Sequence, residues 1–149
     1  MPDLAFRGMA AIFALRDRLS PPDRLVEEAD LSPGGAVLDY GCGPGGHTLA
    51  AARIVGPEGR GHALDVQPLA VRQVQRRAAA AGLDQVHTIL SNQETGLEDG
   101  SLDAVLLFDI FHMLGQPDGV LAELHRVLRP GGSLSFSDHH MKDEAIVSG

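Results

Sequence analysis

Short apolar runs alternate along the chain with stretches that have helical character. The apolar runs are bordered by glycine, proline and polar residues, which is typical of buried strands. The stretches between them repeat apolar residues at helical spacing, or begin with proline and end at glycine. The pattern predicts strands at Ala36–Asp39, His62–Val66, Val86–Leu90, Leu102–Phe108 and Ser133–Ser137, and helices at about 45–54, 68–81 and 117–128.

The first thirty residues have a different pattern. Apolar side chains between Leu4 and Leu19 recur at helical spacing, and the pair Pro21–Pro22 separates this helix from a second one at about 22–30. The first helix either packs on the sheet or forms a lid over a substrate pocket. We interpret residues 1–149 as one domain, with 1–30 as N-terminal helices, 31–138 as the ligand-binding core and 139–149 as a short tail.

Strands and helices that alternate five times predict an α/β fold, with a mostly parallel sheet and helices on both faces. Ligands of such sheets bind beyond the carboxyl ends of the strands. Polar residues fall at each of these ends, and we expect them to form the rim of one cleft: Asp39, Asp65, Asn92, Asp109 and Asp138.

Composition narrows the possible partners. The 149 residues carry a net charge of −8, which disfavours a broad electrostatic grip on nucleic acid or an anionic membrane. A single cysteine, Cys42, excludes an internal disulfide and a cysteine-based zinc cluster. No stretch has the length of an apolar membrane span, and we expect a cytoplasmic protein. We interpret Arg72, Arg76 and Arg77, on one predicted helix, as a solvated face.

The strongest local feature is a glycine-rich turn between the first strand and the next helix, with four glycines in the six residues Gly41–Gly46. Glycine there permits positive φ and lets a ligand approach the backbone, and the N–H groups that open the helix attract an anionic group. The turn matches G-x-G-x-x-G, and Asp65 follows at the distance expected of a dinucleotide site. A site for S-adenosylmethionine is the other interpretation.

Four blocks favour the second interpretation. They resemble, in order and spacing, the class I (Rossmann-like) S-adenosylmethionine-dependent methyltransferases, in particular the small type 11/25-like group: 37–45 (VLDYGCGPG), 63–66 (ALDV), 97–107 (LEDGSLDAVLL) and 121–132 (LAELHRVLRPGG). The resemblance implies a three-layer α/β/α sandwich. The family has two antiparallel strands after the fifth, and we expect some or all of them to be missing here. An open sheet edge would allow homodimerisation.

The resemblance also implies roles for the turn. Asp39 would help to hold the methionine end of the cofactor through water or backbone groups. Gly41 and Gly43 would allow its close approach, while Cys42 and Gly45 shape the turn.

Further along the chain, the resemblance implies contacts with the nucleoside. Asp65 would accept hydrogen bonds from both ribose hydroxyls, with Val66 beside it. Asn92 stands where the family usually has aspartate for the adenine amino group, and Gln93 would contact adenine through its backbone N–H. At the end of the fourth strand, Phe108 and Asp109 would lie beside the reactive methyl group, although Phe108 could equally belong to the core.

The predicted activity is in-line methyl transfer from S-adenosylmethionine to a small molecule, which needs alignment more than a catalytic side chain. His112 and Asp109 are the candidates for a base. A nucleophilic Cys42 and a metal site at Asp138, His139 and His140 are not favoured. Two alternatives stay open: a protein that binds S-adenosylmethionine without transferring methyl, and an NAD-dependent oxidoreductase.

Overall fold

The computed structural model describes residues 26–108 and 116–137. In chain order they form β1 (Ala36–Tyr40), α1 (Gly46–Val55), β2 (Arg60–Asp65), α2 (Pro68–Ala80), β3 (Val86–Leu90), β4 (Leu102–Phe108), α3 (Pro117–Val127) and β5 (Leu128–Ser137). The predicted helix at 4–19, residues 22–25 of the helix at 22–30, the residues Asp109, His112 and Asp138–His140, and the tail lie outside the described residues. None of the helices in the described part is long and apolar enough to cross a membrane.

The five strands form one sheet in the order β3-β2-β1-β4-β5, and every neighbouring pair is parallel. This confirms the predicted α/β class. The chain runs outward from β1 to β3 and then returns to the other side of β1, so the strand order reverses between β1 and β4. The carboxyl ends of these two strands therefore border the crevice in which such sheets bind their ligands.

Helices cover both faces of the sheet, as predicted. Val37 and Leu38 are consecutive in β1 and point to opposite faces. Val37 belongs to a buried cluster with Ala50, Ala51 and Val55 of α1. Leu38 belongs to a second cluster with Val120, Leu124 and Val127 of α3. Helix α2 packs on the α1 side through Val74, which contacts Ala63 and Cys42. The result is a three-layer sandwich.

The largest difference in element boundaries from the prediction is at the fifth strand. Residues 129–132 are predicted to be a turn before the fifth strand, but β5 already begins at Leu128. Leu128 pairs with Leu102 and Ser133 with Ala104, so these residues form a bulge beside β4. Two features hold the bulge there: Gly131 has φ +81°, and Nε of Arg129 donates to Asp103 Oδ1 at 2.5 Å.

The connection from β3 to β4 carries no helix, so the predicted alternation of strand and helix is interrupted here. Residues 91–101 return from the carboxyl end of β3 to the start of β4 on the face that α3 covers. The side chain of Leu97 packs into the α3 cluster, and Thr95 is bonded to Glu123 of α3. The segment is thus held by side chains of α3 and of its apolar cluster.

Gly45 fixes how closely the glycine turn packs on α2. The residue is buried and has φ +95°. A Cβ atom at this position would lie 2.8 Å from Cγ2 of Val74, which is closer than real Cβ contacts. Glycine is therefore required here by both backbone conformation and space.

We expect Gly45→Ala to lower the free energy of unfolding by roughly 3 kcal/mol, since it adds overpacking to the cost of positive φ. Gly82→Ala is the matched control: its φ is +70°, and an added Cβ meets nothing within 4 Å. The control should cost only the conformational part, roughly 1 kcal/mol. Urea unfolding of both variants measures the difference, and equal losses would contradict the steric role of Val74.

Candidate functional site

The first residues of the glycine turn are hydrogen-bonded to β2, and the middle of the turn is open. The N–H groups of Gly41 and Cys42 both donate to the carbonyl of Leu64, at 2.8 and 2.9 Å. Gly43 has φ +53°, and a Cβ atom there would meet nothing within 4 Å. A ligand can therefore approach the backbone at Gly43. Gly45, by contrast, faces α2, so its contribution to the site is the shape of the turn.

Asp65, the last residue of β2, joins the glycine turn to the loop that follows β2. Its Oδ2 accepts the N–H of Gly43 at 3.0 Å, and its Oδ1 accepts the N–H of Gln67 at 2.9 Å. The side chain is half-buried. Each carboxylate oxygen has two lone pairs, so both oxygens can accept one further hydrogen bond each. A vicinal diol is suited to these two acceptors.

An apolar rim lies beside Asp65. Val66 and Leu90 are large hydrophobic side chains that are 63% and 57% exposed. Val66 follows Asp65 in the chain, and Leu90 is paired with Asp65 across the sheet. A flat aromatic ring that covered this rim would remove apolar surface from water.

The segment after β3 differs in one respect from the prediction. The backbone N–H of Gln93 is expected to contact adenine, but in the structure it donates to Oγ of Ser91 at 3.2 Å. Serine commonly forms such a turn with the backbone two residues later. The hydroxyl of Tyr40 donates to the Gln93 carbonyl at 3.2 Å. Asn92 is exposed, so its side chain is accessible to a ligand.

Asp39 lies beneath the turn. Its carboxyl group is buried, and Oδ2 accepts the hydroxyl of Thr48 at 2.7 Å. Burial raises the pKa of Asp39 to about 7; the Thr48 bond opposes this rise, and the negative charge of Asp65 adds to it. Only 3% of the residue is exposed. Its influence on a ligand must therefore pass through the field of its charge, backbone groups or water.

Cys42 packs against Ala63 and Val74 and is buried. Burial, together with the charges of Asp39 and Asp65, raises the pKa of the Cys42 thiol. The thiolate is the nucleophilic form of cysteine, and this environment disfavours it. That Cys42 shapes the turn stays a prediction, and its burial disfavours a nucleophilic role.

Phe108 ends β4 and is buried in the α1 cluster. The ring of His47, in the first turn of α1, meets the Phe108 ring edge-on with 4.8 Å between centroids. His47 is absent from the predicted set, and nothing in its local sequence distinguishes it. In the described residues no side chain caps the start of α1, and its first turn carries no acid. The N–H groups there are suited to an anionic group.

Arg77 is a second residue whose position the sequence does not reveal. It is exposed, as the predicted solvated face requires, and its Nη1 also donates to the carbonyl of Pro44 in the glycine turn at 2.7 Å. Helix α2 therefore supports the turn in two ways, through the packing of Val74 and through the hydrogen bond from Arg77.

These features fit a ligand with a carboxylate, a vicinal diol and an aromatic base. The open backbone at Gly43, the Asp65 acceptors and the apolar rim of Val66 and Leu90 lie around one edge of a doubly wound sheet. The fold and the site together define a nucleoside-binding domain of the Rossmann-like class.

Residues 31–147 match the family model of the methyltransferase domain, and the chain belongs to this family. It is 32% identical to demethylmenaquinone methyltransferase of Geobacillus stearothermophilus over 127 residues, which cover 83% of this chain and 53% of that protein. It is 34% identical to phthiotriol/phenolphthiotriol dimycocerosates methyltransferase 1 of Mycobacterium ulcerans over 129 residues, which cover 87% and 46%.

Among solved structures, a SAM-dependent methyltransferase from Aquifex aeolicus superimposes with a TM-score of 0.75 at 31% identity, over 81% of this chain and 65% of that one. The chain spans about half the length of the two curated relatives. The family identifies S-adenosylmethionine as the cofactor, and its carboxylate, ribose diol and adenine are the groups that the site fits.

The raised pKa of Asp39 predicts a pH-dependent effect of its removal. Below pH 7 the folded protein keeps Asp39 protonated, whereas the unfolded chain releases this proton near pH 4, so Asp39 costs stability as pH rises from about 4 to 7. The free energy of unfolding of Asp39→Asn, measured relative to that of the wild type, should therefore rise by roughly 3 kcal/mol from pH 5 to pH 8.

Urea unfolding of the ligand-free protein at the two pH values measures this gain. Asp84→Asn, at an exposed acid, is the control and should show no comparable change. An Asp39→Asn variant that differs from the wild type equally at both pH values would show that Asp39 titrates normally.

Proposed function

We propose that this protein transfers a methyl group from S-adenosylmethionine to a small-molecule acceptor. The observation that carries the proposal is the position of Asp65. One carboxylate holds the open glycine turn through Gly43 and still offers an acceptor on each oxygen to a ribose diol. Membership of the methyltransferase family supports the same cofactor.

The ligand would be held in three parts. Asp65 would accept the ribose hydroxyls, and the rim of Val66 and Leu90 would cover the adenine ring near Asn92. The methionine end would lie over Gly43 and the start of α1, whose N–H groups favour its carboxylate. Its ammonium and sulfonium groups would lie within the field of Asp39. The N–H of Gln93 can contribute only if its bond to Ser91 opens.

When bound, the cofactor supplies an electrophilic methyl group that an in-line nucleophile accepts, leaving S-adenosylhomocysteine. The chain's task is to align the two reactants and exclude water. Phe108 and His47 border the carboxyl end of β4, where the methyl group is expected. Asp109 and His112 stay proposals as the base, since they lie outside the described residues.

A small-molecule acceptor agrees with the relatives, which are named for demethylmenaquinone and for phthiotriol dimycocerosates. The net charge of −8 disfavours a nucleic-acid acceptor. A cytoplasmic location and homodimerisation through a sheet edge remain predictions. Size-exclusion chromatography with light scattering would test the second.

Two other functions can be separated from the proposal. The G-x-G-x-x-G match also fits NAD, so calorimetric titration with S-adenosylmethionine and with NAD distinguishes a methyltransferase from an oxidoreductase. Binding of NAD alone would overturn the proposal. Incubation with methyl-labelled S-adenosylmethionine and cell extract distinguishes catalysis from binding, because a pure binding protein would leave every acceptor unlabelled.

Asp65→Ala should weaken the binding of S-adenosylhomocysteine by roughly 10–100-fold, because it removes two charged acceptors and the support of Gly43. Asp84→Ala deletes an exposed acid and should leave the dissociation constant unchanged. Isothermal titration calorimetry compares the two. Unchanged affinity in Asp65→Ala would mean that the ribose binds elsewhere.

A further inference from the structure

The segment that carries Asn92 and Gln93 is bonded to one acid of α3. Thr95 is only 4% exposed, and both its N–H and its hydroxyl donate to Oε2 of Glu123, at 2.9 and 2.8 Å. The Thr95 hydroxyl also accepts the N–H of Leu97 at 3.1 Å. Glu123 therefore fixes both the side chain and the backbone at the middle of residues 91–101.

Arg126, one helical turn further along α3, holds Glu123 in place and adds a second attachment. Its Nε and Nη2 donate to the two Glu123 oxygens, each at 2.8 Å. Its Nη1 donates to Asp99 at 2.5 Å, and its carbonyl accepts the N–H of Gly100 at 2.9 Å. We call Thr95, Asp99, Glu123 and Arg126 the α3 clamp.

The clamp is continuous with the adenine side of the proposed site. Thr95 is two residues after Gln93, whose carbonyl accepts the Tyr40 hydroxyl. The Gln93 side chain lies against α3 at Gly119, where an added Cβ would be 2.9 Å from its Oε1. The backbone at 92–93 is thus held between β1 and α3, although it belongs to no helix or strand.

We propose that Glu123 is a positioning residue for the adenine end of S-adenosylmethionine, acting through Thr95 without contacting the cofactor. The inference rests on the proposed function. A segment without regular structure would lose conformational freedom when a ligand orders it, and this loss weakens binding. Because the clamp orders the segment in advance, the cofactor does not bear that cost.

The side-chain bond from Arg126 holds the pKa of Glu123 down to about 2, and the Thr95 bonds act in the same direction. The carboxylate is therefore charged throughout the neutral range, and hydrogen bonds to a charged acceptor are stronger than bonds to a neutral one. Glu123→Gln keeps the shape of the side chain and removes the charge, which makes it the informative substitution.

The experiment measures dissociation constants calorimetrically for S-adenosylhomocysteine and for 5′-methylthioadenosine, which lacks the amino-acid end. Glu123→Gln should weaken both ligands by the same factor, about tenfold, since the loss lies on the adenine side. Thr95→Val should weaken the binding of both ligands by a smaller factor than Glu123→Gln does. Thr95→Ser keeps the hydroxyl and should bind both ligands with wild-type affinity. Should Glu123→Gln fail to fold, the Thr95 pair carries the test.

Asp103→Asn is the matched control. Asp103 also holds a backbone N–H, that of Ala36 at 2.7 Å, and pairs with Arg129, but it lies at the amino ends of β1 and β4. It should lower the melting temperature and leave both dissociation constants unchanged. Unchanged dissociation constants in Glu123→Gln and in Thr95→Val would contradict the positioning role of Glu123. A loss of affinity confined to S-adenosylhomocysteine would contradict it as well. A wild-type protein that binds neither ligand would overturn the proposed function itself.

Discussion

The site depends on two hydrogen bonds to one carboxylate. Asp65 accepts the N–H of Gly43 on one oxygen and the N–H of Gln67 on the other, so two loops from different strands are fixed by a single side chain. Because both partners are backbone groups, the orientation of the carboxylate is set by the fold before any ligand arrives. A preorganised acceptor of this kind loses little freedom on binding, and this favours affinity.

The glycine turn that Asp65 holds is also supported from the opposite side by α2. Val74 leaves no room for a side chain at Gly45, and Arg77 donates to the Pro44 carbonyl. The turn is therefore held where it contacts protein and open at Gly43. This division explains why a turn with several glycines can present a precise surface to a ligand, although glycine by itself favours flexibility.

Local patterns in the sequence were sufficient for the strands, the three helices of the core and the glycine turn, because each depends on residues close together in the chain. The bonds from α3 to Thr95 and Asp99, the Arg77–Pro44 bond and the start of β5 join residues 26 to 33 positions apart, and no periodicity reveals such pairs. The contact of Gln93 with adenine stays a prediction, but its N–H already has a local partner in the structure. Ser91 competes for its N–H, and the tendency of serine to bond two residues ahead was a signal available in the sequence.

The charges around the turn favour the cofactor of the methyltransferases over a dinucleotide. Asp39 and Asp65 lie close enough for the charge of Asp65 to raise the pKa of Asp39, so a second negative charge there is already costly. A pyrophosphate would add two more negative charges beside them. A ligand with a sulfonium and an ammonium group instead stabilises an ionised Asp39, since opposite charges favour the charged form. Burial makes an ionised Asp39 unfavourable for the stability of the ligand-free protein. The same burial strengthens the attraction of Asp39 for a cationic ligand, because few water molecules screen its charge.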